Sequence, residues 1–200
     1  MHCRLVTFTG ATDIDTGTGF VREKVIPSLR DQKGYRGLSA SADRSHGVLG
    51  VLTLWDTEAE RDASWDALAQ LRREGLNTVG GAMSVENYEL MLQVIGDIPP
   101  APGSCLMLLP ISIDPARVDE HLASFRNRVL PEITAAPGFR AVRLLVNRET
   151  GSGITGTSWS DELAMATAAA AAESRRARAA ASGVVFGEPS YRKIVAGDIR

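Results

Sequence analysis

Val25-Ile26-Pro27-Ser28-Leu29 and Val129-Leu130-Pro131-Glu132-Ile133 are two versions of one pentapeptide, with prolines 104 residues apart (131 − 27). The same spacing pairs Gly34 with Gly138, Tyr35 with Phe139, Arg36 with Arg140, Arg44 with Arg148 and Gly47 with Gly151. It continues without a gap through Thr53 and Thr157, Trp55 and Trp159, Glu58 and Glu162, and Arg72 and Arg176. Rare Trp, Pro and Gly residues do not recur at one fixed spacing by chance, so the chain is one unit of about a hundred residues written twice. Toward the end one residue is lost, and Tyr88 pairs with Tyr191; at the start Cys3 falls close to Cys105. Between the copies, residues 96–103 hold three prolines and two glycines, which reads as a semi-rigid linker. The expected organisation is a first repeat over residues 1–95, the linker over 96–103 and a second repeat over 104–200.

Each copy reads strand, helix, strand, strand, helix, strand. In the second copy Leu106 to Ile113 is a short apolar run with strand character, and Asp114-Pro115 then supplies a helix cap followed by a proline suited to the first helical position. Val118, Leu122, Phe125, Val129 and Ile133 recur every three or four residues, which is one face of a helix that Pro137-Gly138 ends. Phe139 to Val146 and Ile154 to Trp159 flank a turn that contains Gly151, a hairpin pattern. A second helix starts just after each tryptophan, capped in the first copy by Thr57 or Asp56, and in the second copy it carries a run of alanines that reads as a close-packed helix. Tyr88 to Val94 and Tyr191 to Ala196 are the last strands.

A single βαββαβ unit covers one face of its sheet with helices and leaves the other bare to water. The predicted fold class is therefore α+β: two ferredoxin-like repeats packed face to face as an intramolecular pseudo-dimer, with the pocket sought between the copies. The expected state is a monomer with further self-association open.

Composition excludes several classes. A formal charge of −2 with interspersed acids and bases does not make a nucleic-acid footprint, and no apolar run approaches the ~20 residues of a membrane span. The start of the chain lacks the apolar stretch of a signal peptide, so the sequence predicts a cytoplasmic protein with no nucleic-acid or membrane partner. Two cysteines do not form a disulfide framework, and nothing has metal-ligand spacing, so no cofactor and no metal are expected. Neither a dinucleotide fingerprint nor a nucleophile elbow is present.

Pro27, Gly34-Tyr35-Arg36 and Trp55-Asp56-Thr57-Glu58, repeated as Pro131, Gly138-Phe139-Arg140 and Trp159-Ser160-Asp161-Glu162, resemble the antibiotic-biosynthesis-monooxygenase-like group of the dimeric α+β barrel superfamily. The resemblance covers almost the whole chain and implies a tandem-fused form of a unit that elsewhere dimerises. It implies that Trp55 and Trp159 line the pocket. It also admits haem or another tetrapyrrole as ligand. The haem degraders of the group share an Asn on the first strand and a His on the second helix. The first strands, Leu5 to Thr9 and Leu106 to Ile113, contain no Asn, and the second helices contain no His, which argues against haem degradation.

Four side chains are the candidates for a site. Trp55 and Trp159 offer planar faces for an aromatic ligand, or else anchor the second helices on their sheets. Arg143 interrupts an apolar strand and could take a carboxylate or phenolate, or else snorkel at a sheet edge; its counterpart is Ser39. His121 could act as a general base, or else decorate a helix surface; its counterpart is Gly17. The functional readings that follow are a cofactor-independent monooxygenase-like enzyme on an aromatic or polycyclic small molecule, or a non-catalytic ligand-binding or scaffold protein, with haem binding third.

Overall fold

A computed structural model describes residues 1–181 and 183–199. The chain forms two compact units, one of residues 1–87 with 193–200 and one of residues 88–192. Each unit takes its last strand from the other sequence repeat.

Unit 1 begins with β1 (His2–Thr9), α1 (Ile14–Phe20), a π-helical turn over Val21–Val25, and α2 (Ile26–Arg30). Then come β2 (Tyr35–Asp43), β3 (Val48–Trp55), α3 (Glu58–Ala67) and α4 (Ala69–Val79), followed by the start of β4 (Ala82–Ile95). Unit 2 repeats the order with β5 (Cys105–Ser112), a 3₁₀ turn over Pro115–Arg117, α5 (Val118–Ser124), a π turn over Phe125–Val129, and α6 (Leu130–Thr134). It goes on with β6 (Phe139–Val146), β7 (Ser152–Trp159), α7 (Glu162–Ala171), α8 (Glu173–Ala180), the short β8 (Val185–Phe186) and β9 (Ser190–Ile199). Strand order is β4-β1-β3-β2-β9 in unit 1 and β9-β5-β7-β6-β4 in unit 2, with β8 also on β5. In unit 1, β9 lies antiparallel to β2, with Ala42 opposite Lys193; in unit 2, β4 lies antiparallel to β6, with Val94 opposite Val142. An edge strand exposes unpaired N–H and C=O groups, and in each unit the exchanged strand pairs them.

Local chemistry explains the repeated motifs. The first helix of each copy is interrupted by a π turn just before the proline, where Ile26 N–H reaches Val21 O and Leu130 N–H reaches Phe125 O. A proline inside a helix has no N–H, and its ring crowds the carbonyl four residues back; a π turn ahead of it relieves both problems. Gly34 (φ +74°) and Gly138 (φ +78°) occupy the left-handed region, and a Cβ on Gly138 would stand 2.4 Å from Ser160 Oγ. The arginine that follows falls at a β-bulge in both hairpins; Arg36 there turns out to an ion pair with Asp56 at 2.5 Å. Thr57, not Asp56, caps α3, accepting from Glu60 N–H at 3.2 Å, and Asp161 caps α7.

The second helix of each copy is two helices rather than one, broken at Leu68 and at Ala172. An arginine bridges each break: Arg72 donates to Trp65 O, and Arg176 donates to Ala169 O at 3.2 Å. That shared role explains why Arg72 and Arg176 match in the repeat. The cysteines, by contrast, are not equivalent. Cys3 stands opposite Leu54 and Cys105 opposite Trp159, one residue out of step, and a one-residue step turns a side chain to the other sheet face. Both are buried, and neither forms a disulfide. Among the described residues no helix is long and apolar enough to cross a membrane.

Candidate functional site

Trp55 and Trp159 close strands β3 and β7 and are only 1% exposed. Each indole N–H donates to the threonine two residues earlier, Thr53 or Thr157, at 3.0 Å. Each ring also meets an aromatic edge: Tyr35 at 5.6 Å between centroids for Trp55, Phe139 at 6.1 Å for Trp159. The geometry joins the two readings of these residues, because both rings are core anchors and both border a cavity. With its single donor engaged, the indole offers a ligand apolar surface only.

The cavities lie inside the units, each between a sheet and its own helices. The unit 1 cavity is about 100 Å³ and the unit 2 cavity about 150 Å³. A void of roughly 150 Å³ is large enough to seat an aromatic ring. The difference between the two follows from the helix facing the sheet. Unit 1 carries Trp65 and Leu68 where unit 2 carries Ala169 and Ala172. The alanine run is thus more than a helix former, since Ala168, Ala172 and Ala179 form part of the unit 2 cavity wall.

The repeat also acts as an internal control for polarity. At three lining positions the unit 2 cavity has His121, Ser124 and Arg175, where the unit 1 cavity has Gly17, Phe20 and Leu71. The same fold forms with either set, so packing does not require the polar one. His121 Nε2 is buried and has no hydrogen-bond partner among the described residues. Nearly all buried polar atoms in native proteins are partnered, so an orphan one on a cavity wall marks a place for a ligand atom or a water. Arg175 Nη1 donates to Glu132 at 2.9 Å, and Arg176 borders the same cavity.

Arg143 is placed otherwise. Leu144 and Val146 of β6 face the unit 2 cavity; Arg143, one step along the strand, points to the other sheet face, where its Nε donates to Gln93 at 2.7 Å. The structure therefore brings His121 and Trp159 to one cavity, Trp55 to the other, and Arg143 to neither. Taken singly, Arg175 and Ser124 carry no site signal in the sequence. The signal that finds them is asymmetry between the copies, Arg175 against Leu71 and Ser124 against Phe20.

Unit 1 has a buried charge cluster of its own. Arg4, 6% exposed, donates to Asn87, to Arg61 O at 2.8 Å and to Asp62 at 2.9 Å, and its guanidinium lies 4.7 Å from the Trp65 ring. Arg72 stacks on the same ring at 3.4 Å. Burial, and then the neighbouring Arg61, press the Arg4 guanidinium below the usual arginine range. Unit 2 places Met107 and Met165 at the positions of Arg4 and Arg61. Among the described residues no group of three or more His, Cys, Asp or Glu is placed to hold a metal.

No family model matches the chain. Among solved structures, a candidate monooxygenase from Fusobacterium nucleatum superposes with a TM-score of 0.73 over 100% of this chain and 94% of its own, at 11% identity. The chain has the dimeric α+β barrel fold. It shares that α+β architecture with an anthrone oxidase-like protein (TM-score 0.68, 17% identity, 99% of this chain and 92% of that one). A heme-degrading enzyme from Listeria monocytogenes is more distant, with a TM-score of 0.55 and 12% identity over 96% of this chain and 99% of that one. In sequence, the uncharacterized protein Rv2557 of Mycobacterium tuberculosis is 29% identical over 160 residues, which span 80% of this chain and 71% of the relative.

Proposed function

We propose that the protein binds a planar aromatic or polycyclic small molecule in the unit 2 cavity and oxidises it as a cofactor-independent monooxygenase. The observation that carries this reading is the orphaned His121 Nε2 in the wall of a largely apolar cavity with aromatic lining. An imidazole can accept a proton near neutral pH. Removing a proton from a carbon between two rings produces a stabilised carbanion that reacts with dioxygen. One oxygen atom stays on the carbon as a ketone and the other leaves as water, so the substrate supplies all four electrons. Trp159 and Phe125 hold the ring system, while His121 takes the proton. The resemblance in fold to an anthrone oxidase-like protein supports this substrate class.

The test is oxygen uptake with anthrone as probe, on wild type, His121→Ala and His121→Gln. The expected outcome is anthraquinone formation that falls at least about 100-fold in both variants, the usual contribution of a positioned base. An unchanged rate in His121→Ala overturns the assignment of the base. A second reading is non-catalytic binding. It is favoured by the sparse acid–base equipment: among the described residues His121 is the one histidine that lines the cavity, and no Asp or Glu does. Anthrone binding without oxygen uptake decides for that reading.

A further inference from the structure

We infer that the ligand of the unit 2 cavity is an aromatic monoanion whose carboxylate or phenolate is held by Arg175. This rests on the reading of that cavity as an aromatic site. Two guanidinium groups border the cavity, from Arg175 and Arg176, and among the described residues no Asp or Glu does. The two differ in kind. Arg176 has the same task as Arg72, bridging a helix break, so the fold uses it in both units. Arg175 stands where unit 1 has Leu71, so the fold does not need a cation there.

Its side chain is only 15% exposed, and its partner Glu132 is 49% exposed and lies outside the cavity lining. A guanidinium carries five N–H donors, and Nη1 alone serves Glu132. The others remain for a planar oxyanion, which matches the guanidinium fork in shape and charge. The remaining donors, on a side chain largely out of water and beside apolar walls, call for acceptors beyond the one Glu132 supplies. The orphaned His121 Nε2 supplies a second polar contact on the same cavity. Apolar walls, one available cationic fork and a second polar contact together describe a small aromatic acid or an acidic phenol.

The test is isothermal titration calorimetry with 1-naphthoate and its neutral analogue 1-naphthalenemethanol, on wild type, Arg175→Leu and Arg175→Gln. Thermal melts confirm that each variant folds, and Leu71 in unit 1 shows that the fold accepts leucine at this place. Wild type is expected to bind naphthoate roughly 10- to 100-fold more tightly than the alcohol, the range for a charge-assisted hydrogen bond. Both variants are expected to lose that preference by weakening naphthoate alone. Equal affinity of wild type for the two probes, or a preference that survives in Arg175→Leu and Arg175→Gln, overturns the inference and leaves the aromatic cavity standing. Failure of both probes to bind wild type removes the cavity reading together with the inference.

Discussion

Ala172→Leu would install in unit 2 the residue that unit 1 carries as Leu68, and it tests whether small side chains make the larger cavity. Leucine adds three carbon atoms facing the void. At roughly 0.8 kcal/mol per buried methylene the gross gain is about 2.4 kcal/mol. Imperfect fit of an inserted side chain takes back of the order of 1 kcal/mol or more. The net expectation is a stabilisation near 1 kcal/mol, which for a chain of this size raises Tm by about 2–4 °C. Binding of 1-naphthoate should fall at least tenfold, because the added carbons occupy its place. The reciprocal change, Leu68→Ala, should cost about 2–3 kcal/mol, at the low end for a leucine since Leu68 is only partly buried. Urea denaturation and calorimetry read both effects. If Ala172→Leu destabilises the protein while naphthoate binds as before, the cavity does not owe its size to the alanines, and the reasoning fails.

Thr157→Val keeps the shape of the side chain but leaves the buried Trp159 N–H without its acceptor, and should cost about 1–3 kcal/mol in denaturant midpoint; Thr53→Val should cost the same in unit 1. Gly138→Ala forces a Cβ against Ser160 at φ +78° and should lower stability by more than about 1 kcal/mol, whereas Gly19→Ala meets nothing within 4 Å and should not. Replacing Arg4 and Arg61 together by Met, the residues unit 2 carries at those places, should be near neutral or stabilising in a thermal melt; Arg61→Met alone should destabilise by leaving Arg4 and Asp62 a broken network. The Asp43 carboxyl is opposed by burial but held at about 2, against an ordinary 3.8, by hydrogen bonds from Ser45 and His46. Its contribution to stability is thus complete above about pH 4 and lost as pH falls toward 2, so the stability gap between wild type and Asp43→Asn should close over that window in an acid titration.

The duplication was legible because its markers are constrained by local geometry. Gly34 and Gly138 need a left-handed backbone, Pro27 and Pro131 impose a π turn, and each tryptophan follows a threonine that accepts its N–H. Helix breaks at Leu68 and Ala172 carry no Pro or Gly signal, so each second helix read as continuous. The face of a single strand residue was also obscure. Strand β6 is apolar on both faces, so no alternation shows on which side Arg143 falls, and the bulge at Arg140 shifts the count at the start of the strand. His121, beside Leu122, is open in the sequence to a catalytic or a surface reading, and in the structure its Nε2 is buried at the cavity wall.

What the chain's own residues determined is the repeated unit, its order of strands and helices, the turns, and the aromatic anchors, because each depends on neighbours a few residues away. Tertiary structure alone decided where β4 and β9 pair, that the cavities open beneath each unit's helices, and that Arg175 and His121 share a wall. Those outcomes depend on contacts between residues tens of positions apart, where one register step or one alanine in place of leucine changes which atoms meet.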